Sequence, residues 1–208
     1  MINLIISAVM LATPNVVYED EGCDWDSASL YEDLVEIAIE ECSVKPERET
    51  ILWELVEVEQ LYGLPYELHG LLLAAACSES RFNPNAKGDW RVNKRGRKVA
   101  RAIGLFQMWR WWERAYDVDR RSTYGAAIAY MKHISRQLPK VEKQCRFKTD
   151  ERQWIAAWVT AIRAPKRGGR CYEKPNHLRR LKRWHRKAKK IQEERFNDEW
   201  NEEEGDGC

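Results

Sequence analysis

The chain has 208 residues, 44% of them hydrophobic and 33% charged, with ten Trp, eight Tyr and four Phe. That is one domain's length with ample aromatic surface to bury, which excludes wholesale disorder, and 11 Gly and 7 Pro without period exclude collagen-like or low-complexity chains. The net charge of +2 hides a segregation: residues 1–80 hold 17 acidic and 2 basic side chains, 81–135 hold 13 basic and 4 acidic, 136–190 hold 19 basic and 4 acidic, and 191–208 hold 8 acidic and 1 basic.

In chain order, Leu4–Ala12 is a short apolar run of secretory h-region length, with Ala8 and Ala12 as small residues near a cut; an N-terminal core strand or short anchor is the alternative. Residues 1–20 are set apart on that ground. Ser27 or Ser29 caps a helix through Leu30–Cys42, and Lys45-Pro46 breaks it. A second helix runs from about Glu47 to Tyr62, with Ile51, Leu52, Leu55, Val58 and Leu61 on one side and Gly63 as its stop. Residues 21–62 thus form an acidic helical region. Pro65 opens a third helix that continues to near Arg81, and Pro84 ends it. Residues 85–101 are polar, basic and glycine-containing, and read as a long loop. A turn at Gly104 leads into a helix over Leu105–Tyr116. Further helices are expected at Tyr124–Leu138, ended by Pro139, and at Glu151–Arg163, ended by Pro165. A basic helix over Asn176–Arg195 and an acidic tail, 191–208, complete the chain. The class is mainly α, and no run reaches the ~18–20 apolar residues of a membrane span.

Six cysteines, Cys23, Cys42, Cys77, Cys145, Cys171 and Cys208, fit an oxidising compartment but allow many connectivities. Cys145 and Cys171 bracket one expected helix and are the favoured pair, and Cys77, in an apolar run, reads as a buried free thiol. With no CxxC and four scattered histidines (His69, His133, His177 and His185), neither a metal site nor a cofactor is expected.

In the third helix Leu68, Leu72, Ala75, Ala76 and Glu79 share one face. A carboxyl at the end of such a stripe loses hydration, which disfavours its charged form and raises its pKa. A glutamic acid still protonated near neutrality can donate to a glycosidic oxygen. The plainer reading has Glu79 turning to solvent at the helix end or capping an amide.

The local words are more specific. Ser78-Glu79-Ser80-Arg81-Phe82-Asn83-Pro84-Asn85-Ala86 resembles the "ES-x-F-x-P-x-A" segment of the lytic transglycosylases, relatives of goose-type lysozyme, and Gly104-Leu105-Phe106-Gln107-Met108 resembles their "GLMQ" element. A Tyr62-Gly63-Leu64-Pro65 lead and a later helix from Asp117 to Tyr130 are similar in order, and the resemblance spans roughly 60–175. It implies a lysozyme-like helical domain over residues 63–190, with the acidic N-terminal helices and the basic C-terminal helix as additions. It further implies cleavage of the linkage between N-acetylmuramic acid and N-acetylglucosamine, with Glu79 as the single acid and base, and a 1,6-anhydromuramyl product. Substrate contacts are expected from Ser80, Gly104, Gln107 and Trp158, although Ser80 equally suits a helix cap or a surface hydroxyl. Phe82 and Phe106 read as core. Trp109, Trp111 and Trp112 read as core or as a sugar subsite, and Asp117 and Asp119 as turn formers or water holders.

Two departures stand out. Glu79 and Gly104 are 25 residues apart, the excess being the basic stretch Asp89–Arg101, which would hang beside a cleft and face muropeptide carboxylates. The family's "A-Y-N-x-G" is matched only by Ala157-Trp158-Val159-Thr160-Ala161, so an indole replaces the tyrosine hydroxyl that would hold the glutamate. The expected partner is the peptidoglycan strand, the expected state a monomer, and the expected place the periplasm, the exterior or a virion. The rivals are a hydrolytic muramidase on the same fold, a non-catalytic wall-binding component, and a polyanion or nucleic-acid binder using the basic helix and Trp184. The acidic ends folding back on the basic body would weaken that last reading.

Overall fold

The computed structural model describes residues 27–64, 66–145 and 176–205. The readings of the N-terminal segment, Pro65, the helix at 151–163 with Trp158, and Cys171 lie outside the described residues.

Helix α1 (Ser27–Cys42) and helix α2 (Glu49–Tyr62) flank a single 3-10 turn, Pro46–Arg48, which begins at the expected proline break. Gly63 ends α2 in a left-handed conformation, as expected of a cap. Leu61, expected on the packed side, is 64% exposed: the buried stripe of α2 is Ile51, Leu52, Leu55, Val56, Val58 and Glu59. Helix α3 (Leu71–Ser80) starts later than expected. A 3-10 turn, Tyr66–Leu68, and a left-handed Gly70 at φ 82° separate it from the proline.

Leu71 through Cys77 are all buried, so α3 is apolar all round rather than on one face, which makes it the central helix of the core. It packs against α1, α2 and α6 (Asn176–Gly205), while α2 also packs on α5 (Thr123–Cys145). One hydrophobic cluster draws Leu34, Leu52, Leu72, Trp112, Met131 and Trp184 from the helices into a common interior. The N-terminus of α3 is held from α2: Gly70 N–H donates to Glu59 Oε2 at 2.7 Å and Leu72 N–H to Glu59 Oε1. Glu59 is fully buried, and burial pushes its carboxyl up to about 8 against the opposing pull of these donors and of the Tyr31 hydroxyl.

The stretch expected to be a loop is a β-hairpin. Strands β1 (Lys87–Val92) and β2 (Lys98–Ile103) pair antiparallel, and a two-residue β3 (Met108–Trp109) joins β2 on its other side. The turn between β1 and β2 is built by Asn93, whose Oδ1 accepts from Arg95 N–H at 2.9 Å and Arg97 N–H at 3.0 Å. The alternation that marks a strand is hidden because both faces are largely solvated and carry arginine and lysine, the residues that also guard open strand edges. For the same reason the expected helix Leu105–Tyr116 is divided: Gln107 adopts φ 48°, which closes a turn, and only Trp111–Tyr116 forms α4.

Helix α5 runs through Pro139 instead of ending there. Proline removes one bond to the carbonyl four residues back, and since Ser135 and Pro139 are both exposed, the freed carbonyl lies on the solvent side of the helix. Helix α6 continues past the expected Arg195, with Lys190 and Glu194 paired one turn apart at 3.3 Å.

Cys77 is not a free thiol. It forms a disulfide with Cys42, Cα to Cα 5.8 Å, tying the end of α1 to α3. Among the described residues no helix is long and apolar enough to cross a membrane.

Candidate active site

Glu79 lies in the last turn of α3, two residues after the disulfide-bonded Cys77. It is half-buried, and loss of hydration raises its pKa above the ordinary carboxylate value. The phenol of Tyr130, 3% exposed on α5, is raised by burial and further by the Glu79 charge, which places the two groups within electrostatic reach. Tyr130 stacks on Phe106 with ring centroids 4.7 Å apart. Phe106 precedes Gln107, so both halves of the sequence signature converge on this tyrosine. Phe82 and Phe106 are buried, as expected of core residues.

The chain reverses immediately after α3 through two left-handed residues, Arg81 at φ 52° and Phe82 at φ 55°. Each costs about 1–2 kcal/mol. The fully buried Phe82 ring contributes about 1.5–3 kcal/mol in return, and Phe82 N–H reaches back to Ala76 O. Ser80 takes the capping role left open by the sequence. Its hydroxyl donates to Ala76 O at 3.1 Å and accepts from Asn83 N–H at 3.2 Å. Ser78, on the preceding position, accepts from Arg180 Nη1 of α6.

Gly104 is the joint between the motifs. Its N–H donates to Ala86 O at 3.0 Å, and its Cα lies so close to the chain that an added Cβ would stand 2.3 Å from Arg120 O. Arg120 fixes this neighbourhood through Nη1, which donates to Arg101 O at 3.1 Å and Met108 O at 2.9 Å, and through Nε, which donates to Glu113 Oε1 at 3.1 Å. Gln107 folds its amide over the sheet. Its Nε2 donates to Gly104 O at 3.0 Å, and its Oε1 lies 2.3 Å from where a side chain at position 88 would begin. Gly88 therefore leaves the room in which the Gln107 amide sits.

The remaining candidates divide. Trp112 is buried, its ring tilted 55° against that of His133 at 4.5 Å, and His133 Nδ1 in turn lies 2.6 Å from the Tyr116 hydroxyl. Trp109 and Trp111 are 40% and 41% exposed. Asp117 ends α4 in a left-handed conformation and Asp119 Oδ1 accepts from Arg121 N–H at 2.9 Å, both turn-forming roles. On α6 the aromatic of the rival polyanion reading is not available for stacking. Trp184 is fully buried and its Nε1 donates to Glu41 Oε2 at 2.7 Å. Lys187 Nζ, 2.8 Å away, and Arg183 pair with the same carboxylate. Burial alone would raise Glu41, but the hydrogen bonds from Arg183, Lys187 and Trp184 hold it down at about 2. Arg195 lies 2.9 Å from the buried Asp33, so the acidic N-terminal helix does neutralise part of the basic helix.

Tyr130, Gly88, Arg120 and Glu59 have no role in the sequence reading. A tyrosine among the small residues Ala126, Ala127 and Ala129 was the one signal available for the first. Among the described residues no cluster of His, Cys, Asp and Glu is arranged to hold a metal ion. No protein-family model, no curated protein and no solved structure matches this chain.

Proposed function

We propose that this chain is a peptidoglycan lytic transglycosylase of lysozyme-like build, with Glu79 as its only acid and base. The observation that carries the reading is a half-buried glutamate at the end of the central helix, its pKa raised by burial, at the point where both halves of the signature meet. In the proposed reaction the Glu79 carboxylic acid gives its proton to the bridging oxygen between N-acetylmuramic acid and N-acetylglucosamine, and the C1–O bond breaks. The neighbouring N-acetyl group stabilises the cationic sugar, so no second carboxylate is required. The Glu79 carboxylate then takes the proton of the muramyl 6-hydroxyl, whose oxygen closes on C1. The 1,6-anhydro ring forms and Glu79 is again protonated, with no water consumed. Tyr130, its phenol kept protonated by burial and by the Glu79 charge, is the group placed to orient the carboxylate. It takes the role that the departure at Trp158 left empty. Gln107, whose amide carries both donor and acceptor atoms, faces the sugar.

The Cys42–Cys77 disulfide supports action outside the cytoplasm, in the periplasm, the exterior or a virion. We take the working form as a monomer acting on glycan strands without a cofactor.

The test is digestion of purified sacculi, with products weighed by mass spectrometry. Wild type releases anhydro products, and Glu79→Gln, which keeps the shape and removes the proton, loses about 10²–10⁴-fold in rate. Products heavier by one water identify a hydrolytic muramidase. Undiminished cleavage by Glu79→Gln refutes the assignment, and binding without release in the wild type identifies a wall-binding protein. Burial raises the Glu79 pKa above the ordinary carboxylate value, so the rate falls as pH rises through the Glu79 titration.

A further inference from the structure

The antiparallel register sorts the hairpin into two faces. Gly88 opposes Ala102, Trp90 opposes Ala100, Val92 opposes Lys98, and Ala102 opposes Trp109, so these residues share one face of the sheet. The Gln107 amide lies on that face, over Gly88. Beyond it, two small residues, Ala100 and Ala102, separate two large indoles. Trp90 is 48% exposed and Trp109 40% exposed. Exposed tryptophan is costly to leave in water, and a pair held on one face of a sheet is a stacking surface. Each indole carries a cation: Lys98 Nζ lies 5.7 Å from the Trp90 ring centroid, and the Arg101 guanidinium 5.6 Å from that of Trp109. The same hairpin carries Lys94, Arg95 and Arg97 in and beside its turn and Lys87 and Arg91 on its other face, against the single acid Asp89.

We infer that this face is a binding platform for a carboxylate-bearing glycan, in which sugar rings stack on Trp90 and Trp109 while Lys98 and Arg101 take the acid groups. The inference rests on the glycan reading above and adds the charge of the strand that is preferred. A neutral sugar that settles on an indole displaces the cation and forfeits that contact. A sugar that brings a carboxylate returns a charge-assisted hydrogen bond, the stronger of the two contacts. The exchange favours the anionic strand, and Gln107 connects the platform to the turn that meets Tyr130.

Binding is measured by calorimetry in the Glu79→Gln protein, so that no ligand is consumed. Three probes are used: peptide-bearing glycan strands, chitohexaose and a 20-base-pair DNA duplex. The strands bind at least tenfold more tightly than chitohexaose. Trp90→Ala and Trp109→Ala each weaken them at least fivefold, and Lys98→Gln removes most of the preference over chitohexaose. Both indoles are half in solvent, so their loss leaves the core intact, and circular dichroism checks this. Equal affinity for charged and neutral glycans, or strand binding indifferent to both tryptophans, overturns the platform. DNA binding tighter than the strands and lost in the same variants overturns it in favour of a nucleic-acid surface. Sacculus cleavage by wild type is scored separately. Cleavage with tryptophan-independent binding refutes the platform alone, and tryptophan-dependent binding of the strands without cleavage supports the platform and refutes the enzyme.

Discussion

Gly104 and Gly96 offer a controlled pair of substitutions. Both are left-handed, at φ 81° and φ 71°, so alanine is strained at either by about 1–2 kcal/mol from backbone alone. Their surroundings differ. Nothing lies within 4 Å of a methyl added at Gly96, whereas one at Gly104 meets Arg120 O at 2.3 Å. That atom is backbone, pinned because the Arg120 side chain is anchored to Arg101 O and Met108 O. Relief requires either the turn or the segment after α4 to move, which removes the Gly104–Ala86 hydrogen bond and displaces Gln107. Overpacking of this kind adds about 1–3 kcal/mol. Gly104→Ala therefore destabilises by about 2–5 kcal/mol and Gly96→Ala by about 1–2 kcal/mol. For a chain of this size that is a loss in melting temperature of about 4–20 °C against 2–8 °C. Calorimetric melts of the two variants beside wild type measure the difference, and sacculus digestion at 20 °C reads the site. Equal melting shifts refute the close approach. A Gly104→Ala protein that digests sacculi at the wild-type rate refutes the claim that this joint places Gln107.

Gly88→Ala pushes the Gln107 amide from its position, where Oε1 stands 2.3 Å from the new methyl, but touches no backbone. Sacculus cleavage falls at least tenfold while urea denaturation shifts by less than about 1 kcal/mol. Glu59, raised from 4.5 to about 8, favours its protonated form in the fold. Its contribution is complete below pH 4.5 and is lost at about 1.4 kcal/mol per pH unit as pH rises towards 8, so urea midpoints at pH 5 and pH 8 differ in wild type and this slope is absent in Glu59→Gln. Reduction of Cys42–Cys77 frees a loop with a sequence separation of 35, which the chain-entropy account values at about 4 kcal/mol. Urea melts with and without reductant show that loss, and Cys42→Ser removes the response.

The helices were legible where apolar spacing is dense and a proline or glycine closes the element: α1, α2 and the end of α3 fall close to their expected positions. Glu79 was legible for the same reason, as a charged residue closing an apolar run. The hairpin was not. Its strands bury only Ala102 and Ile103 at one end, so arginine and lysine occupy positions that in a two-sided core would alternate with apolar residues. Pro139 reads as a stop because the rule counts the lost bond and not the solvent exposure of the freed carbonyl. The Cys42–Cys77 pairing depends on α1 lying against α3, a tertiary fact that spacing does not contain. Tyr130 escaped because its partner is 51 positions away, and no local word links a phenol on α5 to a carboxyl on α3.

The charge segregation acquires a physical division of labour from these placements. The acids of α1 are counter-ions: Glu41 holds Arg183 and Lys187, and Asp33 meets Arg195, so several of the basic charges on α6 are neutralised within the fold. The pairing at Glu41 is lost only as pH falls from 4.5 towards about 2, so it persists at neutral pH. Among the described residues no ion pair joins the hairpin, where seven basic side chains between positions 87 and 101 stand with one aspartate. The strongest uncompensated field among the described strands is therefore beside Gln107 and the two exposed indoles. A rigid polyanion such as DNA would be drawn to the most basic stretch of sequence, which is α6, but there the tryptophan is interior and Arg183 and Lys187 are already paired. A flexible strand that carries both stackable sugars and carboxylates suits the hairpin face proposed above instead, where Lys98 Nζ lies 5.7 Å from the Trp90 ring and the Arg101 guanidinium 5.6 Å from that of Trp109.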